Sequence, residues 1–101
     1  MYTIVKEYKV QAGLTTDAAR HVAEGLVPRI RLLAGFSAYY VVDLGEDELA
    51  TVSIFKTREG AEESVLLARE WIEQTARLGQ LLPLTPTLLA GEVYIHASEF
   101  D

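Results

Sequence analysis

The stretch Ala34–Glu63, AGFSAYYVVDLGEDELATVSIFKTREGAEE, decides the fold. Two runs rich in β-branched and aromatic residues, Phe36–Asp43 and Leu49–Lys56, flank the glycine- and acid-rich turn Leu44–Glu48, which is a hairpin signal. Alternation along the strands puts Ala38, Tyr40, Val42, Ala50, Val52 and Ile54 on a mostly aliphatic face. Ser37, Tyr39, Val41, Thr51, Ser53 and Phe55 fall on the other, which mixes aromatic, aliphatic and hydroxyl groups. With Leu44–Glu48 as the loop, Asp43 pairs with Leu49, Val42 with Ala50, Tyr40 with Val52 and Ala38 with Ile54. Gly35 ends the element before the hairpin, and Thr57 opens the one after it.

Before the hairpin, Tyr2–Val10 alternates as a strand with faces Tyr2/Ile4/Lys6/Tyr8/Val10 and Thr3/Val5/Glu7/Lys9. Each face carries a charge, so either could turn toward helices. Thr15 or Thr16 is a candidate N-cap for an amphipathic helix that buries Ala19, Val22, Ala23, Leu26, Val27, Ile30 and Leu33 and ends at Gly35. Pro28 removes the hydrogen bond to the Glu24 carbonyl and is expected to kink or split that helix. After the hairpin, Thr57 caps a second helix with a stripe of Ala61, Val65, Ala68, Ile72 and Ala76, ended by Gly79. Gln80–Leu89, with two prolines among five leucines, reads as a loop, and Ala90–Ala97 as a last strand.

The order β-α-β-β-α-β is that of an α+β, ferredoxin-like fold, a four-stranded antiparallel sheet with both helices on one face. A chain of 101 residues, half of them hydrophobic, is expected to form a single domain, 1–101. Both faces of the hairpin are apolar, so the helix-free face calls for cover, and a homodimer is expected. The net charge of −6 argues against nucleic acid and anionic membranes as partners. Cysteine is absent, which removes disulfides and thiolate chemistry. MYTIVKEYKV has no signal-peptide core and no apolar run approaches a membrane span, so a cytoplasmic protein is expected.

Two junctions resemble the dimeric α/β-barrel superfamily that includes antibiotic-biosynthesis monooxygenase-like domains. Ala34-Gly35-Phe36 resembles its Pro-Gly-Phe, and Ser53-Ile54-Phe55-Lys56-Thr57 through Ala61 resembles its Glu-x-Trp strand running into the second helix. Ala34 stands for the usual proline, Ser53 for a glutamate, Phe55 for a tryptophan, and Ser64 lies near a common histidine position. The resemblance implies a dimeric barrel acting on a small hydrophobic or aromatic molecule, as a monooxygenase that needs no cofactor because electrons come from the substrate. The alternative is a non-catalytic ligand-binding or stress-related module of the same fold. A haem-degrading variant would want a histidine on the second helix, and Glu62–Gly79 has none.

His96 and Tyr94 share a face of the last strand, and one register puts them with Tyr39 and Ser53 around a cavity between the sheet and a second copy. There His96 is the candidate catalytic base, and Tyr39, Ser53, Phe55 and Tyr94 are candidate ligand-binding residues for a planar phenol. Asp17, His21 and Glu24 have helical spacing for metal ligands, but they lie on the solvated side of the helix, where Arg20–Glu24 pairing is the better reading; no metal site is expected. Trp71 fits packing beneath Gln80–Leu89 better than ligand stacking, and Glu46-Asp47-Glu48 reads as a solvated turn.

Overall fold

A computed structural model describes residues 1–75, 81, 82 and 86–99. Strands β1 (Tyr2–Lys9), β2 (Phe36–Gly45), β3 (Glu48–Phe55) and β4 (Thr87–Glu92) form one antiparallel sheet in the order β2-β3-β1-β4. Helical segments α1 (Thr15–His21) and α2 (Val27–Ile30) join β1 to β2, and α3 (Arg58–Gln74) joins β3 to β4. This is the expected α+β ferredoxin-like arrangement.

The hairpin keeps the register its alternation dictates: Asp43 opposes Leu49, Val42 Ala50, Tyr40 Val52 and Ala38 Ile54. Its turn is tighter than the predicted five residues. Only Glu46 and Asp47 lie between the strands, both at positive φ (52° and 59°), as a type I′ turn requires. A register shift between Asp43 and Gly45 absorbs the extra residue, and the Gly45 N–H donates to Asp43 Oδ1. Asp47 is not merely solvated. Its carbonyl accepts from Val10 N–H at 2.8 Å and its carboxylate from Gly13 N–H at 3.0 Å, tying the hairpin tip to the entry of α1.

Tertiary packing decides which face turns inward. Leu49, Thr51, Ser53 and Phe55 of β3 are buried, as are Ile4, Lys6 and Tyr8 of β1, with Tyr39 and Val41 of β2 half-buried beside them. Their apolar members form one cluster with Ala18, Val22, Leu26, Ile30, Ala61, Ala68 and Trp71 from the helices. The mixed face of the hairpin therefore carries the helices, and the aliphatic face is left uncovered.

Pro28 does not break the helical backbone of this segment. Right-handed helical dihedrals continue through each junction, but Val22–Leu26 is wound as a π-helical turn in which Val27 N–H reaches back to the Val22 carbonyl. The wider turn accommodates the missing proline donor. The helix starts without a threonine cap: Thr15 and Thr16 lie inside its first turn, Leu14 is the N-cap, and no side chain caps it. Arg20 pairs with Asp17 at 2.7 Å rather than with Glu24. Gly35, at φ 78°, ends the turns between α2 and β2.

Helix α3 begins as expected, with Thr57 Oγ1 accepting from Gly60 N–H at 3.2 Å. Its buried stripe is rotated from the predicted one, running through Gly60, Ala61, Ser64, Ala68 and Trp71 while Val65 and Ile72 flank it. The rotation brings Trp71 against Gly25, where a Cβ would stand 2.5 Å from Trp71 Cζ2. Trp71 is thus a helix-to-helix packing residue; Ala76 and Gly79 lie outside the described residues. β4 begins earlier than predicted. Thr87–Leu89, read as loop, is strand, while Leu81 and Leu82 pack in the core.

At Gly60 an added Cβ would lie 2.6 Å from the Ala34 backbone carbonyl, which no side-chain rotation relieves. Gly60→Ala gains about 1 kcal/mol of helix propensity but forces an overpacking cost of roughly 1–3 kcal/mol. Urea denaturation should show net destabilisation; an unchanged or raised midpoint would contradict this packing.

Candidate functional site

The layer between helices and sheet is polar at its centre. Cross-strand pairing aligns Tyr39 with Ser53, and Thr51 with Val41 on one side and Lys6 on the other. Tyr8 lies two residues beyond Lys6, so it shares that face. Around Tyr8, Tyr39 and Thr51 lies a cavity of about 10 Å³, completed by Val41 and Leu49 of the hairpin, Ala18, Val22 and Leu26 of the first helix, Ile72 of α3, and Leu82. That is room for roughly one water. A larger guest requires the walls to move apart, and the cavity wall includes the π turn at Val22 and Leu26.

Burial governs the ionisable groups here. Desolvation pushes the Tyr39 phenol up to about 12, with a hydrogen bond to Thr51 acting in the opposite direction. Tyr8 is raised beyond that range, first by burial and then by the nearby Tyr39. Both phenols are neutral donors near pH 7 rather than bases. Lys6 is only 8% exposed, and burial, reinforced by Arg69, lowers its amine to about 8.

The structure separates the residues that the sequence reading grouped. Tyr39 and Ser53 are paired on the helix side of the sheet, not on the open side, and Phe55 shares that face but is fully buried edge-on to Phe36 at 5.9 Å. Tyr94 and His96 are not brought to them. β4 stops at Glu92, Val93 N–H makes a last bond to the Met1 carbonyl, and Tyr94 beyond it is 98% exposed, with His96 exposed too. The strand ends there because β1, its partner, has begun. Ser64, near the position where the resemblance would place a histidine, is buried with its hydroxyl donated to the Ala61 carbonyl at 2.6 Å. Among the described residues, no three histidine, cysteine, aspartate or glutamate side chains cluster as metal ligands, and no helix is long and apolar enough to cross a membrane.

Tyr8, Thr51 and Lys6 were absent from the predicted site. Lys6 had the clearest signal, a lysine between Ile4 and Tyr8 on an otherwise apolar face of the strand.

This arrangement has many solved counterparts. A Nitrosomonas europaea protein of unknown function, NE2512, superposes with a TM-score of 0.76 at 16% identity, over 96% of this chain and 92% of its own. A Bordetella bronchiseptica protein, whose assignment as an antibiotic biosynthesis monooxygenase is itself inferred, gives 0.73 at 15%, over 93% and 97%. An antibiotic biosynthesis monooxygenase gives 0.71 at 11%, over 94% and 100%. No family model matches the sequence, and a search of curated proteins finds no significant relative. The chain thus has the fold of the antibiotic-biosynthesis-monooxygenase-like proteins, at identities that establish fold alone.

The buried groups predict a pH profile. Lys6 is depressed from 10.5 to about 8, so its penalty on folding is full below pH 8 and is relieved as pH rises toward 10.5. Tyr39 is raised from 10.0 to about 12, so its contribution is present below pH 10 and is lost between 10 and 12. Lys6→Met should therefore raise stability near pH 7 by roughly 1–3 kcal/mol and remove the alkaline gain. Denaturation midpoints at pH 7, 9 and 10 check this; equal wild-type and variant profiles would contradict it.

Proposed function

We propose that this protein binds a small hydroxylated aromatic molecule between its sheet and helices and oxidises it with molecular oxygen, without a cofactor. The observation that carries the reading is the placement of Tyr8, Tyr39 and Thr51 as hydrogen-bonding tips in an apolar cavity. Such a site orients a phenol and places neutral donors where negative charge develops on its oxygen. Among the structural neighbours, proteins named antibiotic biosynthesis monooxygenase support this class of chemistry. The small cavity volume favours a second reading, a ligand-binding module that does not turn over.

Oxygen uptake with a panel of hydroquinones separates the two. Under the oxygenase reading, uptake exceeds the buffer control and Tyr39→Phe lowers it about tenfold or more. His96→Ala should leave it unchanged; a tenfold loss would bring the C-terminal tail into the site. Saturable ligand binding with uptake at the control rate would favour the module.

The same proposal includes a homodimer. The helix-free face presents Val42, Val52 and Ile54 of the hairpin and Leu89 of β4, with Tyr40, 55% exposed, on the edge strand β2. A patch of this kind is costly to leave in water, and a second copy offers a matching one. Sedimentation equilibrium should give twice 11.2 kDa for the wild type and a folded 11.2 kDa monomer for Tyr40→Lys. A monomeric wild type would overturn the dimer.

A further inference from the structure

We propose that residues 93–97 of one copy add as a strand to the free edge of β2 in a second copy, so that the dimer swaps these segments. The proposal rests on the homodimer and names the contact that joins its two sheets.

The segment is a strand by sequence without a place in its own sheet. Val93, Tyr94 and Ile95 are β-branched and aromatic, and 93–97 carries no carboxylate, lysine or arginine. Yet β4 ends at Glu92, and Val93 N–H bonds to the Met1 carbonyl where β1 runs out. Beyond that point Tyr94 is 98% and Ile95 83% exposed. Large side chains left in water side by side mark a contact surface.

The matching half is β2. It lies at the edge of the sheet opposite β4 and is bonded to β3 alone, so the backbone groups along its outer side are open to another strand. Edge strands are normally blunted by lysine, proline or shortness. Phe36–Gly45 is 10 residues long, has neither lysine nor proline, and carries Asp43 as its one charge. Its register shifts fall at its ends, between Phe36 and Ala38 and between Asp43 and Gly45, which leaves 38–43 regular and long enough to pair with 93–97.

In its own chain the segment starts at the far side of the sheet, three strand spacings or roughly 14 Å from β2. Two copies about a two-fold axis satisfy both halves at once, because each offers a segment and an edge. Covering a tyrosine buries roughly 150–250 Å², so Tyr94 supplies about a fifth or more of the surface that a standard interface takes from each partner. The helix-free face adds to it.

Sedimentation equilibrium and amide hydrogen exchange by NMR test this on the full chain and on the double variant Tyr94→Asp with Ile95→Asp. Both positions lie outside the sheet, so the variant keeps its fold. The dimer dissociation constant should rise at least about a hundredfold, a tenfold loss for each of the two segments. The outward amides of 38–43 should exchange at least about tenfold more slowly in the wild-type dimer than in the variant. The Tyr40→Lys monomer gives the same comparison should the double variant fail to fold. An unchanged dissociation constant, or wild-type edge amides that exchange as fast as a monomer's, overturns the swap and leaves a dimer formed through the sheet face alone. A monomeric wild type overturns both the swap and the dimer it rests on.

Discussion

Alternation along β3 is the constraint on which the rest of this molecule depends. Glu48–Phe55 is paired on both sides, with β2 and with β1, so its register fixes what its neighbours present to each layer. A slip of one residue would exchange Leu49, Thr51, Ser53 and Phe55 for Ala50, Val52 and Ile54 beneath the helices. Phe55 anchors the choice. It is fully buried, packs edge-on against Phe36, and sits immediately before the turn where Thr57 caps α3. Sheet register and helix start are therefore set within three residues of each other.

That choice puts hydroxyls and an amine inside. A mostly aliphatic face was available on the same hairpin, and stability alone would favour burying it. Instead Thr51, Ser53, Tyr39, Tyr8 and Lys6 lie under the helices, where burial raises both phenols and depresses the amine. Polar groups retained at a cost to folding are a mark of sites shaped for a ligand. The π turn adds to this: Val22 and Leu26 belong both to the cavity wall and to the segment whose winding departs from α-helix.

The local parts of this structure were legible in the sequence, and the contextual parts were not. Strand pairing in the hairpin came from period-two alternation, and the α3 start from the Thr57 hydroxyl, because each is decided by residues a few positions apart. The end of β4 depends on where β1 begins, which assigns Thr87–Glu92 to the sheet and leaves Tyr94 and His96 outside it. Pro28 announced a disturbance, but not its form, a π-helical turn whose Gly25 lies against Trp71 of a distant helix. The site was half legible. Tyr39 and Ser53 were correctly placed on one face, yet that face was assigned to the wrong side of the sheet, and Lys6 was passed over because its strand offered a charge on either face.

The central claim is that the space between helices and sheet, and not the open sheet face, receives a small aromatic molecule. Chemical-shift mapping by NMR during titration with a phenol tests it most directly. Perturbations concentrated at Val22, Leu26, Tyr39, Thr51 and Ile72 are the predicted result. Shifts confined to Tyr40, Val42, Val52 and Leu89, or no saturable shifts at all, would contradict it.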